Sequence, residues 1–334
     1  TSEQYKFKVE EILLRKKIQA QIILEPISKN TCPAIFLGAY YANENDILLI
    51  MPSDHYIPNI KEFVKMLNFS LSKMDEEKWM IFGIVPNKPS SAYGYIKINK
   101  TDVKYKADDD KIYKVDKFIE KPNIRNAKKL FLSDEYLLNS GIFLVKKETA
   151  LESISKNAKD IFLLCKVIVE QKSIININQQ VSFDLETFEK LPSSSIDYSV
   201  LEKETDILCT SFNSEWSDVG SWDSYFDIIN EENRKENFIE INGKNNILPS
   251  KDRMIVTIGV DDLIIADTKD ALLITKKDTS EHLKKVVENF IKENSPYSHD
   301  ILYDERPWGN YNILFESNVC KVKKLSIFPK KRLS

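Results

Sequence analysis

Three short apolar runs, Ile47–Met51, Met80–Val85 and Ile142–Val145, constrain this chain more than any other feature of its sequence. Each reads as a strand: Ile47–Met51 as a parallel strand buried on both faces, Met80–Val85 as another buried strand, and Ile142–Val145 as an apolar strand. Helical patterns separate them: Phe63, Leu67, Leu71 and Met74 share a face after the first run, and residues 148–170 read as one or two helices after the third. Residues 5–18, with Phe7, Val9, Ile12, Leu13 and Ile18 on a broken helical period, lead into the further run Ile22-Ile23-Leu24. Strands alternating with helices to about residue 230 predict an α/β layer with a mostly parallel sheet. Open sheets of this kind bind ligands beyond the carboxyl ends of their strands.

A length of 334 residues predicts two domains. The net charge of −3 gives no general attraction to nucleic acid or to an anionic membrane. Cys32, Cys165, Cys209 and Cys320 are scattered without zinc-type spacing. Cys165 and Cys209 lie in apolar surroundings and read as reduced core thiols of a soluble, cytoplasmic protein. No apolar run is long enough to cross a bilayer, and no secretory signal pattern is present. The chain opens on Thr1 and stops at Lys330-Lys331-Arg332-Leu333-Ser334, directly after a strand-like stretch, and so reads as a fragment of a longer protein.

Six polar stretches follow strands or separate elements. Glu25 to Ala34 links Ile22–Leu24 to a helix faced by Ile35, Phe36, Ala39 and Tyr40, with Thr31 as expected N-cap and Pro33 in the first turn. That loop reads equally as an anion or nucleotide site and as a plain capped connection. Asp54, in Pro52-Ser53-Asp54-His55, is either a strand-end ligand or a turn residue, and His55 has no second histidine near enough for a metal pair. Gly94, between Tyr93 and Tyr95, allows close approach of a ligand or marks a bulge. Glu120 and Lys121 form either a solvated ion pair or a grip on hydroxyls and a phosphate. Asn139, Ser140 and Gly141 put an amide and a hydroxyl at the start of a strand. Asp218, in Trp216-Ser217-Asp218-Val219-Gly220, is either a carboxylate for a hard cation such as magnesium or an Asx-turn.

After residue 230 the texture changes. Phe238–Ile241, Asn246–Leu248, Met254–Ile258, Leu263–Ala266 and Ala271–Thr275 are short apolar runs between turns, which predict a small all-β module. A helix closes it, with Asp278 as expected N-cap, Glu281 three residues later, and Leu283, Val286, Val287, Phe290 and Ile291 on its apolar face. A linker from Ser295-Pro296 leads to Arg306-Pro307-Trp308-Gly309 and an unfinished β segment.

The order of these stretches carries more than any one of them. Glu25-Pro26 through Lys29-Asn30-Thr31 to Pro33-Ala34, Pro52-Ser53-Asp54-His55, Tyr93-Gly94-Tyr95-Ile96 and Phe118-Ile119-Glu120-Lys121-Pro122 come first. Asn139-Ser140-Gly141-Ile142-Phe143, Ser195-Ile196-Asp197-Tyr198, Trp216 to Trp222 and Arg306-Pro307-Trp308-Gly309 follow. Together they resemble the bacterial mannose-1-phosphate guanylyltransferases, many of which carry a C-terminal phosphomannose isomerase domain. The resemblance covers essentially the whole chain.

It implies a nucleotidyltransferase-type, Rossmann-like mixed sheet over 1–230, incomplete at its N-terminus. A left-handed β-helix-like module over 231–294 and the start of a truncated cupin-like isomerase domain over 295–334 would follow. The implied reaction joins GTP and mannose 1-phosphate with magnesium, and a homodimer is implied as well. By resemblance Asp54 and Asp218 would hold the magnesium, and Lys121 would meet a phosphate. Glu120, Asn139 and Ser140 would serve the sugar, Gly94 would admit the hexose, and Glu25, Asn30 and Thr31 would face the nucleoside. Lys29 stands where the family commonly has Arg, which removes the planar fork. The family's N-terminal strand and its Gly-rich Gly-Gly-x-Gly-Thr-Arg loop have no counterpart in these residues, which implies an idle fragment with the edge of a central strand exposed. None of His55, His282 and His299 falls where the isomerase domain would bind metal. The same residues also fit a nucleotidyltransferase for another hexose 1-phosphate, or a non-catalytic sugar-nucleotide-binding module.

Overall fold

The computed structural model describes all residues except 75–77, 108–109, 172–173, 177–179, 229–236, 248–252, 269–270, 294, 296–302 and 334. Packing divides the chain into a first unit, Thr1–Trp216, and a second, Ser217–Ser334. The expected boundary at 230/231 lies outside the described residues, as do Leu248, Pro296 and His299, and the boundary at 294/295 abuts residue 294, which is likewise outside them.

In the first unit α1 (Lys6–Lys16), β1 (Ile22–Leu24), α2 (Thr31–Tyr41), β2 (Ile47–Ile50), α3 (Ile60–Leu71) and β3 (Trp79–Ile84) lead to the long pair β4 (Tyr95–Ala107) and β5 (Asp110–Ile119). Then come α4 (Ile124–Phe131), β6 (Tyr136–Lys146), α5 (Lys147–Asn157), α6 (Lys159–Glu170), β7 (Ile174–Asn176), β8 (Gln180–Ser182), α7 (Leu185–Glu189), α8 (Ile196–Ser199) and β9 (Ile207–Phe212). Six strands make one sheet in the order β2-β6-β3-β9-β5-β4, and β1-β8-β7 make a small second sheet.

All six residues of β3 are buried, as its apolar run predicts. Trp79 and Ile81 face one core with Phe36, Ala150, Ile154 and Ile161, whereas Met80, Phe82 and Ile84 face the other with Phe63 and Met66. Alternation between two covered faces leaves no position in the run for a polar residue. Each fully buried side chain of this size contributes about 1.5–3 kcal/mol. The tryptophan satisfies its one donor within this packing, its Nε1 donating to Ser153 Oγ at 3.0 Å.

The sheet is mixed, and it is less parallel than simple alternation of strands and helices predicts. Only β3 and β9 run parallel within it. β6 is antiparallel to β2, β3 and β4, and β5 is antiparallel to β4 and β9. Two features the apolar pattern does not record are responsible: a direct β4–β5 hairpin in place of a crossover helix, and the return of β6 between β2 and β3. β2 also differs from expectation. It is an antiparallel edge strand, with Ile47 40% and Leu49 39% exposed, since only Leu48 and Ile50 pack on the core.

Register at the β4–β6 contact sets up the site. Tyr95 pairs with Ile119 of β5 and with Leu138 of β6. The next rung therefore brings Gly94, Glu120 and Asn139 together. Between Ile81↔Phe143 and Gly83↔Asn139, β6 advances four residues while β3 advances two. The surplus is a bulge, and bulges re-aim side chains. Asn139, Ser140 and Gly141 thus lie inside β6, whereas the sequence pattern places them at a strand end.

The second unit contains α9 (Trp222–Ile228), the parallel pair β10 (Phe238–Ile241) and β11 (Ile255–Ile258), and the antiparallel pair β12 (Leu263–Asp267) and β13 (Leu272–Lys276). α10 (Leu283–Lys292) and a meander of β14 (Tyr303–Arg306), β15 (Gly309–Glu316) and β16 (Lys321–Ile327) complete it. α9 packs within this unit: Trp222 and Phe226 meet Ile247 and Ile264. Ile247 bridges Ile264 in parallel, and Asn246 ties the stacked coils, its Nδ2 donating to Val260 O at 2.7 Å and its Oδ1 accepting from Leu263 N–H at 2.9 Å. Short parallel rungs joined by a buried amide are β-helix-like construction. Asp278 does not cap α10, contrary to expectation. A 3₁₀ turn, Ser280–His282, precedes the helix, and the carboxylate of Asp223 takes the N–H groups of Asp278 and Ser280 at 2.7 and 3.2 Å. No helix among the described residues is long and apolar enough to cross a membrane.

Candidate active site

The rung beyond Tyr95 gathers residues from three separate stretches of sequence. Asn139 N–H donates to Gly94 O at 2.8 Å. A Cβ on Gly94 would stand 2.6 Å from Glu120 Oε2 and 3.3 Å from the Phe118 ring, so position 94 is glycine for want of space. Lys121 Nζ lies 3.4 Å from Glu120 Oε1, with the lysine 65% and the glutamate 22% exposed. Lys121 itself holds φ +40°, a conformation that non-glycine residues rarely adopt and that clusters at functional sites.

Two carboxylates that the sequence pattern does not assign to the site complete the group. Asn139 Nδ2 donates to Asp197 Oδ1 at 2.7 Å, and Glu120 N–H donates to Glu202 Oε1 at 3.2 Å. The Ser195-Ile196-Asp197-Tyr198 motif is the signal for Asp197; nothing in the sequence marks Glu202. Burial pushes the Glu120 carboxyl up from its ordinary range, the charges of Asp197 and Glu202 add to this, and Lys121 opposes it. Burial likewise raises Asp197, against the pull of the Asn139 hydrogen bond. Three carboxylates, one amide and one exposed ammonium suit a polyol that carries a phosphate: hydroxyls donate to carboxylates, and the ammonium meets the phosphate.

Ser140 differs from its neighbours. It is fully buried, and its hydroxyl donates to Phe82 O at 2.6 Å within the sheet, so packing occupies it.

The loop before α2 forms a second cluster. Asn30, not Thr31, caps the helix, its Oδ1 accepting from Thr31 N–H at 2.8 Å; with φ +70° it turns the chain one residue earlier than the sequence pattern implies. Thr31 Oγ1 accepts from Ile196 N–H at 2.9 Å, and Cys32 N–H donates to Ser194 O at 3.1 Å. Lys29 Nζ donates to Glu189 O at 2.7 Å. Glu25 Oε1 is buried without a hydrogen-bond partner, and burial raises this carboxyl as well.

Asp54 is exposed in the turn after β2. The next residue is anchored: Trp216 Nε1 donates to His55 Nδ1 at 3.3 Å, the two rings meet edge to face at 5.1 Å, and Tyr93 meets Trp216 at 5.3 Å. Asp218 belongs to the second unit, where its Oδ1 accepts from Gly220 N–H at 3.2 Å and Ser217 Oγ accepts from Val219 N–H at 3.1 Å. Among the described residues no group of three His, Cys, Asp or Glu side chains gathers as a metal site. Exposed carboxylate oxygens are nonetheless the donors that a magnesium ion takes, one or two at a time, beside phosphate oxygens.

Residues 1–235 match the nucleotidyl transferase family, and residues 236–290 match the MannoseP isomerase/GMP-like beta-helix domain. Mannose-1-phosphate guanylyltransferase 2 of Escherichia coli O157:H7 is 33% identical over 347 residues, spanning 100% of this chain and 71% of that protein. A mannose-1-phosphate guanylyltransferase of Salmonella muenchen is 33% identical over 333 residues, spanning 96% of this chain and 68% of that protein. Among solved structures, one from Thermus thermophilus described as a mannose-1-phosphate geranyltransferase superposes with a TM-score of 0.69 at 22% identity, over 84% of this chain and 81% of that one, a likeness of fold. The mixed sheet and the β-helix-like module expected from the resemblance are both present. The chain therefore belongs to the nucleotidyl transferase family and, within it, to the mannose-1-phosphate guanylyltransferases.

Proposed function

We propose that this protein forms GDP-mannose from GTP and mannose 1-phosphate and releases diphosphate. The observation that carries the reading is the rung of Gly94, Glu120 and Asn139 with Lys121 beside it, a setting that suits a sugar phosphate, in a chain of this family. A phosphate oxygen of mannose 1-phosphate would attack the α-phosphorus of GTP. A new P–O bond forms, the bond to the β-phosphate bridge breaks in line with it, and diphosphate leaves with that oxygen. The reaction calls for positioning and charge neutralisation, with no protein nucleophile.

Lys121 meets the sugar phosphate in this reading, Glu120 and Asn139 take the hydroxyls, and Gly94 leaves room for the ring. Ser140 is assigned no substrate contact, because its hydroxyl is already committed to Phe82 O. Glu25, Asn30 and Thr31 serve the nucleoside. The buried, partnerless Glu25 Oε1 is an acceptor in want of donors, which the N–H groups of guanine supply. Asp54 and Asp218 are assigned to magnesium on the chemistry of their oxygens alone. When bound, the ion neutralises phosphate charge as it develops. We read residues 1–230 as the nucleotidyltransferase domain, 231–294 as the β module and 295–334 as the opening of an isomerase-like domain. A homodimer belongs to the same reading, as does a cytoplasmic setting, which buried unpaired thiols at Cys32, Cys165 and Cys209 support.

The test uses protein expressed from its complete reading frame, supplied with magnesium and a panel of nucleoside triphosphates and hexose 1-phosphates. GDP-mannose and diphosphate should appear in equal amounts from GTP and mannose 1-phosphate. Turnover only with another pair would reassign the substrates. Binding of the sugar nucleotide without turnover would make this a non-catalytic module.

A further inference from the structure

We propose that Asp197 is a positioning residue, which fixes the rotamer of the Asn139 amide so that its second N–H is presented to the hydroxyls of the bound sugar phosphate. The inference rests on the sugar-phosphate reading of this site and deepens it.

An asparagine amide has two donor hydrogens and one acceptor oxygen. At Asn139 the oxygen accepts from Gly141 N–H at 3.1 Å, and one hydrogen goes to Asp197 Oδ1 at 2.7 Å. A half-turn of the amide would point its hydrogens at Gly141 N–H and its oxygen at a carboxylate. Both contacts would then be repulsive, so one orientation is strongly selected. Its remaining hydrogen belongs to the rung that holds Gly94 and Glu120.

For this to work, Asp197 must stay in place when Asn139 is pulled, and its surroundings are rigid. Ser195 Oγ accepts from Tyr198 N–H at 3.2 Å, and Thr31 Oγ1 accepts from Ile196 N–H at 2.9 Å. Ile196 and Val200, on either side of the carboxylate, are fully buried. Burial raises the pKa of Asp197, and Glu202 and Glu120 repel its carboxylate form. A neutral acceptor would satisfy the same amide without that repulsion. What the charge adds is a stronger, more directional bond to the amide. The short helix also ties the two candidate subsites together, because Thr31 of the nucleoside loop holds the N–H of the residue before Asp197.

Asp197→Ala, in protein expressed from its complete reading frame, should raise KM for mannose 1-phosphate tenfold or more and leave KM for GTP within about twofold. In asparagine-labelled protein, the Asn139 side-chain NH2 signals should move and exchange with water faster. Asp197→Asn keeps an acceptor in place and should recover most of the KM. A lower melting temperature with sugar KM and Asn139 signals unmoved would mean a merely structural carboxylate, and would overturn the proposal. Should the alanine variant fail to fold, the exchange Asn139→Asp with Asp197→Asn decides the matter. It restores the hydrogen bond with its polarity reversed and removes the N–H offered to the sugar. Recovery of the melting temperature without the sugar KM supports positioning, and recovery of both refutes it. If the unaltered protein neither binds nor turns over a sugar phosphate, the reading of the reaction falls, and the Asn139 signals in Asp197→Ala still report whether Asp197 orients the amide.

Discussion

Gly94 and Glu120 are packed so that the missing Cβ at position 94 is what leaves the carboxylate where it is, 2.6 Å from where that atom would stand. Overpacking usually costs about 1–3 kcal/mol. Here the obstructing atom is the far end of a side chain, which moves more easily than backbone. Gly94→Ala should therefore displace Glu120 more than it destabilises the fold. KM for mannose 1-phosphate should rise about tenfold, roughly 1.4 kcal/mol, with the urea midpoint nearly unchanged. A lowered midpoint with normal KM would mean that the backbone had yielded and the carboxylate had not.

Lys121 separates two roles of one ion pair. At 65% exposure its contact with Glu120 is worth about 0–1 kcal/mol to stability. As a preorganised charge against a phosphate it is worth far more: Lys121→Ala should lower turnover roughly 10²–10³-fold, about 2.7–4 kcal/mol. Steady-state rates and a thermal melt on the same variant decide it, and a loss below tenfold would leave only a surface pair.

The elements that sequence predicts best are those whose pattern has one physical solution. Met80–Val85 could only be a strand between two cores, and β3 has every residue buried. Ile47–Met51 carries the same pattern, yet β2 lies at an edge. An apolar run records what a strand can tolerate, and its neighbours decide how much of that is used. Asn30 takes the capping role expected of Thr31, and the N–H of Asp278, the expected cap of α10, is itself held by Asp223, because φ angles and long-range partners are not written in local spacing. Gly94, Glu120 and Asn139 are legible as separate motifs, but their meeting depends on the β4–β6 register. Asp197 stands in a motif of its own, but its pairing with Asn139, 58 residues away, is not legible in local spacing.

Glu120 and Asp197 set the sign of a pH effect. Both carboxyls are raised, chiefly by burial, so between the ordinary range and the raised values the folded state binds more protons than the unfolded one. Their contribution to stability is therefore full below the ordinary carboxylate range and is lost as pH rises through the raised values. Asp197→Asn should flatten that part of the profile. Urea unfolding of both proteins at a series of pH values checks this, and equal slopes would place the pH dependence elsewhere.

Ser140 makes the opposite case from its neighbour Asn139. Its buried hydroxyl donates to Phe82 O at 2.6 Å and accepts from Ile142 N–H at 3.2 Å. Ser140→Ala should cost about 1–3 kcal/mol, from groups left unpaired in the bulge. If its role is packing alone, KM for mannose 1-phosphate should stay within twofold in a variant whose melting temperature has fallen. A KM effect at unchanged stability would restore Ser140 to the sugar site.

Asp218→Asn tests the magnesium assignment without disturbing the turn. Oδ1 of Asp218 accepts from Gly220 N–H at 3.2 Å, and an asparagine oxygen can make the same bond. What the substitution removes is the negative charge, and a hard cation depends on charge far more than a turn does. The variant should melt within a few degrees of the unaltered protein, while the magnesium concentration for half-maximal turnover rises about tenfold or more, the equivalent of roughly 1.4 kcal/mol. Asp54→Asn should behave in the same way, because its carboxylate is exposed. Melting and magnesium titration together leave two clean outcomes. A steep new magnesium requirement in a folded protein identifies a ligand. Loss of the fold with unchanged metal dependence in the residual activity would show that Asp218 holds the turn together and nothing more.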